Sequence, residues 1–350
     1  MKFRTLKNRF IADLSYNKRK TKIPNLPNLH CIESTNKCNL NCVMCPRKDM
    51  TRKLGFMDFG VFKKIVNECK DHMDFVYLHH MGESLLHPKL IEMIDYCGKN
   101  DLRTGISTNA SLLNEGMSRK ILDSKLDRIF FSIDGATKKT YERIRKNADF
   151  KRTIDNIITF VKLKEMNHQK KPTTGIKIIL MEETKEEISK FYKIWREHKL
   201  DSIEIKYFNS WAGQLKETEN LSKPEHRISC HIHRSKERQP CKWFWHNLVV
   251  LWDGTVVPCC RDYDAKIPLG NIVNTSLEKI WNCKKIMELR REQIKLNFNN
   301  GLCDDCTEWI GNESNPLYPL DINLYRGFRQ YLGKLGISKI GIDVANFELL

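Results

Sequence analysis

The sequence predicts an α/β fold, and three observations carry that reading. Between residue 29 and about residue 210, short apolar runs alternate six times with stretches of helical spacing. Such alternation means parallel strands joined by right-handed crossovers. The polar motifs fall at the C-terminal ends of the apolar runs, where sheets of this kind place their sites.

The first 27 or so residues are basic and end in Pro24 and Pro27, which reads as a short helix or arm followed by a linker. Strand one is Leu29–Ser34, with a cysteine-rich loop after it. Asp58–Lys70 has helical spacing through Phe59, Phe62, Ile65, Val66 and Cys69. Phe75–His79 is strand two, and Pro88–Gly98 is a helix that ends at a glycine. Leu102–Ser107, Arg128–Ile133, Gly175–Leu180 and Ser202–Tyr207 are strands three to six. Between them lie a helix at Asn114–Ser124, a helical stretch to about Met166 broken near Asn147–Asp149, and a helix at Lys185–His198.

The chain has 350 residues, enough for one large domain and a smaller one. Sixty Lys and Arg against 43 Asp and Glu leave a net charge of +17. Such an excess attracts anionic partners: nucleic acid, phosphorylated substrate or acidic membrane. The positive residues are scattered and no nucleic-acid-binding motif occurs, so a solvated lysine-rich surface is the plainer reading and nucleic acid is not expected as a partner. Thirteen cysteines without a signal peptide argue against a secreted disulfide scaffold. No run approaches about 18 uncharged apolar residues, so no membrane span is expected, and the cytoplasm is the expected location.

The loop after strand one reads Cys38-Asn39-Leu40-Asn41-Cys42-Val43-Met44-Cys45. Three thiolates from one tight loop hold three corners of a [4Fe–4S] cubane and leave one iron open. Zinc is the rival, although its structural sites usually take four ligands and favour C-x2-C pairs. Three buried free thiols are the plain alternative.

This loop resembles the C-x3-C-x2-C loop of radical S-adenosylmethionine (SAM) enzymes. The resemblance implies a partial (β/α)6 barrel over residues 29–210, with Cys38, Cys42 and Cys45 as ligands of a cluster whose open iron binds SAM. It also implies reductive cleavage of SAM to a 5′-deoxyadenosyl radical that takes a hydrogen atom from substrate. Met44 would lie near the adenine. Further segments fit at successive strand ends. Gly82-Glu83 is similar to the family's GE motif for the SAM amino group, with Met81 and Ser84 departing from the usual flanks. Ser107-Thr108-Asn109 is similar to a ribose-contacting segment. Ser132-Ile133-Asp134-Gly135 matches another SAM-contacting segment, and Arg145 resembles an arginine that pairs with the SAM carboxylate. His79, His80 and His87 flank this region; lining a pocket or bonding to backbone is the plainer role for each than proton transfer.

From about residue 211 the alternation stops, and residues 211–240 read as a linker. Cys241 follows, then Asn247–Trp252, Asp253-Gly254 and Thr255–Val257, a strong hairpin signal, then Cys259-Cys260. Ser276–Leu296 reads as one helix, and Cys303 and Cys306 come after it. Cys241, Cys259, Cys303 and Cys306 form a candidate closed four-thiolate site for iron–sulfur or zinc. The set resembles the SPASM/twitch region of radical SAM enzymes in its shorter form, with one auxiliary [4Fe–4S] cluster over residues 241–310. Cys260 is an alternative to Cys259; the distance from Gly254 favours Cys259. Residues 311–350 carry no recognised motif.

An auxiliary cluster suggests a net two-electron oxidation. A hydrogen atom leaves an alcohol carbon, a base takes the hydroxyl proton, and the cluster accepts the remaining electron. The resemblance therefore implies an oxidoreductase, of the type that dehydrogenates aminocyclitols, acting on a carbohydrate or cyclitol with a flavodoxin- or ferredoxin-type electron donor. Lys206, Tyr207 and Arg261 are weak candidates for substrate contact or base, and no catalytic residue is assigned. The alternatives are modification of a ribosomally made peptide, and sugar epimerisation with Cys230 or Cys260 returning the hydrogen atom. Only about 28 residues precede strand one, against the longer peptide-binding domain of many peptide modifiers, so that alternative ranks lower. A cluster- or zinc-stabilised nucleic-acid binder is the non-enzymatic alternative, with steep salt dependence as its mark.

Overall fold

The computed structural model describes residues 2–222, 238–306 and 309. Six parallel strands run in order: β1 (Asn28–Ile32), β2 (Phe75–Tyr77), β3 (Arg103–Thr108), β4 (Arg128–Ser132), β5 (Thr173–Leu180) and β6 (Ser202–Tyr207). Each lies beside its sequence neighbour. Crossovers of one hand between sequential neighbours put every connecting helix on the same face, so the sheet curls with helices outside. Those helices are α2 (Phe59–Cys69), α3 (Leu90–Lys99), α4 (Glu115–Asp123), α5 (Lys138–Ile144), α6 (Phe150–Met166) and α7 (Ile188–Trp195).

Alternation along the strands sorts the side chains between the two faces. Val76, Leu78, Ile106, Ile129, Phe131, Ile176, Ile178 and Leu180 are buried in one core with Phe62, Ile65, Met93, Ile121, Ile157 and Phe191 of the helices. The intervening residues of β2–β6, among them Tyr77, Ser107, Phe130, Ser132, Lys177 and Glu204, lie on the concave face. Several helices begin at a capping side chain. Asp58 Oδ1 accepts from the Gly60 and Val61 amides, and Asn114 and Asp149 cap α4 and α6 in the same way.

The hairpin expected around Asp253-Gly254 follows a short helix, α8 (Trp243–His246), and forms from β7 (Asn247–Val250) and β8 (Thr255–Val257), with Gly254 at φ +84°. It does not stand apart. β7 pairs in parallel with β1, and β8 pairs with β9 (Gly270–Asn271), so one described sheet runs β9-β8-β7-β1-β2-β3-β4-β5-β6. β1 carries a register irregularity between Leu29 and Cys31, where it serves two neighbours.

Three local expectations are corrected. The helical stretch before Asn147 stops at Ile144, because Arg145–Lys146 pairs with Asn41–Cys42 as a two-residue ladder and Asn147 turns at φ +70°. The single helix expected over Ser276–Leu296 is two, α9 (Leu277–Trp281) and α10 (Lys284–Ile294). There the Asn282 side chain both accepts from Ile23 N and donates to Ile23 O, and Cys283 turns extended at ψ 160°. Residues 211–222, expected as linker, include a 3-10 turn at Lys216–Leu221 and a buried Leu215; 223–237 lie outside the described residues.

The basic arm is helix α1 (Phe3–Asn17) and a following segment, both packed near the C-terminal half. Tyr16 Oη donates to Pro240 O at 2.9 Å, and its ring meets Trp245 edge-on at 5.3 Å. The fully buried Arg290 guanidinium donates to the carbonyls of Thr21, Phe244 and Trp281. Among the described residues no helix is long and apolar enough to cross a membrane.

Candidate active site and cluster sites

The Cys38–Cys45 loop emerges at the C-terminal end of β1 and is held from several sides. Val43 N donates to Ile144 O at 3.0 Å, beside the Asn41–Lys146 and Cys42–Arg145 pairing. Arg47 Nη2 donates to Leu40 O at 2.8 Å, and Asn39 Nδ2 to Ser111 Oγ at 2.7 Å. Burial raises all three thiol pKa values, that of Cys42 to about 12, against the lowering effect of Arg145. Thiols so placed are neutral without metal and give up protons when they ligate. Among the described residues no three His, Cys, Asp or Glu side chains gather tightly enough for a single ion. A cubane takes each thiolate on a separate iron, so three half-buried thiols spread along one loop suit it.

The strand-end residues support this loop more than they face outward. Glu83 is buried: Oε1 accepts from Thr108 Oγ1 at 2.8 Å and Leu85 N at 3.1 Å, and Oε2 accepts from Asn109 N at 2.8 Å. Burial raises its pKa, against these donors. A glycine is required at Gly82 by protein backbone: a Cβ there would sit 2.3 Å from Thr35 O and 2.7 Å from Lys37 O. Glu83 N accordingly donates to Lys37 O at 2.9 Å. The close approach at this glycine is thus to the segment that leads into the cysteine loop.

Asn109 Nδ2 lies 3.9 Å from Cys38 Sγ and donates to Asn39 Oδ1 at 3.1 Å. Arg145 spends Nε and Nη2 on Asp134 Oδ2, at 2.9 and 2.6 Å, and places Nη1 3.9 Å from Cys42 Sγ. Asp134 Oδ1 accepts from Ile179 N at 2.8 Å. Asp134 and most of Arg145 are therefore engaged within the protein, and only Nη1 is directed at the cluster loop. Ser107 and Ser132 share an Oγ–Oγ hydrogen bond of 3.0 Å across β3 and β4. Met44 is buried with Ile144, Met181 and Phe208, an apolar group beside the loop.

The histidines divide. His87 bonds to Met57 O and Lys89 N, a structural role. His79 Nδ1 accepts from Ser107 N at 3.0 Å, and burial lowers its pKa to about 3. His80 bridges Glu33 Oε1 at 3.3 Å and Cys260 O at 2.9 Å. Of the weaker candidates, Lys206 reaches Glu204 at 2.9 Å on the concave face, and the Arg261 guanidinium lies over the Trp211 ring. Tyr207 packs against the helix-side core instead, because strand alternation turns it outward from Lys206.

Two members of the second cysteine set, Cys241 and Cys303, are linked through a residue the sequence did not flag. Gln293 on α10 accepts from Cys241 N at 2.9 Å with Oε1 and donates to Cys303 Sγ at 3.5 Å with Nε2. Cys306 N donates to Cys303 O at 3.2 Å, in a knuckle ordered by Asn300, Asp304 and Gly301 at φ +73°. Cys259 Sγ accepts from Arg261 N at 3.4 Å. Its thiol is pushed well up by a hydrogen bond to Cys260, by burial, and by the charges of Cys260 and Cys241. Cys259 and Cys260 both pack against the buried cluster that holds Cys31 of β1. The donor set, four thiols drawn from a helix start, a hairpin end and a knuckle, suits a cluster with all-protein ligands. Cys230 lies outside the described residues.

Other residues missed from sequence are Glu33, Arg52 and Lys177. A lone acid in the first apolar run and a lone lysine inside Gly175–Leu180 were the available signals, since unpaired charges are rarely buried.

The sequence matches the radical SAM superfamily over residues 32–194 and the SPASM iron–sulfur cluster-binding domain over residues 241–307. It is 25% identical over 312 residues to the tungsten-containing aldehyde ferredoxin oxidoreductase cofactor-modifying protein of Pyrococcus furiosus, covering 79% of this chain and 86% of that one. Among solved structures, Streptococcus suis SuiB bound to precursor peptide SuiA has a TM-score of 0.62 at 16% identity, covering 81% of this chain and 70% of that one. BtrN in complex with AdoMet and 2-DOIA has a TM-score of 0.53 at 17% identity, covering 81% and 94%. At these identities the structural likeness is one of fold.

Proposed function

Because the chain is a radical SAM enzyme with a C-terminal SPASM domain, we propose that it carries out a two-electron oxidation of a small hydroxyl-bearing molecule of the carbohydrate or cyclitol class. When bound, SAM on the first [4Fe–4S] cluster supplies the radical that takes a hydrogen atom, and the auxiliary cluster supplies an electron acceptor. Cys38, Cys42 and Cys45 hold the first cluster. Cys241, Cys259, Cys303 and Cys306 hold the second. Asn109 and Arg145 direct donors toward the first set, and Gln293 does so toward the second. Gly82, Glu83, Ser107, Ser132 and Asp134 shape the strand-end floor on which SAM lies, with Met44 on its apolar side. The substrate occupies the concave face between the two cysteine sets. The electron donor is of flavodoxin or ferredoxin type, and the setting is the cytoplasm.

The observation that carries this reading is the Gln293 bridge, which supports a closed four-thiolate site with no position left for SAM. The Pyrococcus relative, named for modifying a cofactor, favours a small-molecule substrate. Peptide modification is the second reading, favoured by the fold likeness to a peptide-bound SuiB.

The test is iron and sulfide content after anaerobic reconstitution, beside the C38A/C42A/C45A variant. About eight irons in the parent and about four in the variant are expected. A variant that holds no iron, or holds zinc, removes the electron acceptor and favours redox-neutral chemistry.

A further inference from the structure

The concave face has a charge pattern that narrows the substrate. On β5, Lys177 Nζ lies 3.6 Å from Glu204 of β6 and 3.2 Å from the centroid of the Phe130 ring. Lys206 shares the same carboxylate at 2.9 Å. The Arg128 guanidinium stands over Phe75 and Phe130 on the same face. Two lysines thus share one acid, with a third basic side chain on the same face. Burial lowers the Lys177 pKa to about 7, and the charges of Lys206 and Arg128 add to that against the opposing effect of Glu204. The group is short of negative charge.

Its position matters as much as its charge. Lys177 is the register partner of Ser132 in β4, whose hydroxyl meets Ser107 at the strand ends. The opposite wall is aromatic: His30 lies 5.7 Å from Tyr77 and 4.9 Å from Trp243. His30 is exposed to solvent beside these two rings. Lys206, with its side chain 53% exposed, stands on β6, the last strand of the sheet.

We propose that this face binds its substrate through an oxyanion, a phosphate or carboxylate, which docks on Lys177 with Lys206 and Arg128 beside it while the body of the molecule lies toward Tyr77 and Trp243. This rests on reading the concave face as the substrate chamber of the enzyme proposed above. A cationic aminocyclitol lacking an acidic group would add a fourth positive charge here and is disfavoured. Charge-assisted bonds to a partly desolvated lysine are strong enough to select a substrate class.

The test uses reconstituted holoenzyme with SAM, titrated calorimetrically with pyrophosphate in one arm and malonate in the other. Lys177→Gln is compared with Lys177→Arg, with the half-exposed rim variant Lys206→Gln, and with Lys151→Gln on the outer helix α6. At least one anion is expected to bind the parent, about tenfold or more weaker in K177Q, with recovery in K177R and an intermediate loss in K206Q. K151Q should match the parent. Equal affinity in parent, K177Q and K206Q overturns the proposal, as does failure of both anions to bind a sample that cleaves SAM. Absence of SAM cleavage at full iron content overturns the enzymatic reading instead, whatever the anions do.

Discussion

Arg52 presents its two terminal nitrogens to the two oxygens of Glu33, each at 2.9 Å, and Glu33 is fully buried. The carboxylate also accepts from Trp252 N at 3.1 Å and meets His80 at 3.3 Å. One side chain at the end of β1 thus joins the segment after the cysteine loop, the end of β2 and the end of β7.

Glu33→Gln leaves the Arg52 charge buried without its partner. Loss of about 3–5 kcal/mol is expected, read by urea unfolding of the cluster-free protein. Burial pushes the Glu33 pKa up, but His80 and Arg52 outweigh it and hold it at about 2 in the folded chain. A lowered folded pKa gives stability that is fully present above about pH 4.5, the unfolded value, and lost as pH falls through about 2. The gap between parent and variant should therefore shrink over that acidic window and stay constant above it.

Gly82→Ala forces a methyl group onto Thr35 O and Lys37 O. The backbone must move, at a cost of about 1–3 kcal/mol in thermal or urea unfolding. Iron at the N-terminal set should fall while iron at the C-terminal set stays. Full retention of about eight irons would show that the loop tolerates the shift.

Asp134→Asn releases Arg145, which now has both Nε and Nη2 on that carboxylate. Chelator-driven iron loss should quicken in a background where only the first cysteine set remains, and be unchanged where only the second does. Arg145→Lys in the otherwise unchanged protein should quicken that loss likewise, because a lysine cannot contact the Asp134 carboxylate and Cys42 in the same fork geometry.

Gln293→Leu removes the donor to Cys303 Sγ and the acceptor of Cys241 N. Hydrogen bonds to cluster sulfurs raise the reduction potential, so the auxiliary cluster should titrate at a more negative potential, followed by electron paramagnetic resonance. An unchanged potential would mean that this amide does not face the cluster.

The strands were legible because each is a short apolar run bounded by helical spacing, and the candidate ligands because three cysteines lie within eight residues. The register of β7 on β1 was not, since residues 28 and 247 carry no local mark of each other. Nor was the Glu33–Arg52 pair, whose partners are chosen by tertiary packing. The break at Asn282 was hidden by an apolar stripe that continues across it; only the approach of Ile23 explains it. Glu83 and Asp134 were legible as candidates but not as internal supports, a distinction set by which hydrogen-bond partners the fold supplies.

The arm described at the start of the chain also sets an order of assembly. Lys20, Thr21 and Ile23 bond to Trp245, Arg290 and Asn282, which a ribosome makes more than two hundred residues later. β1 shares this delay, because one of its edges remains open until β7 exists. Loop closure over so long a span is slow relative to local pairing. The nascent chain therefore completes its six-strand half first and carries an uncovered strand edge, and a Lys20–Ile23 segment without these partners, until the last third emerges. The segment that carries the late-made cysteine set therefore also closes the sheet.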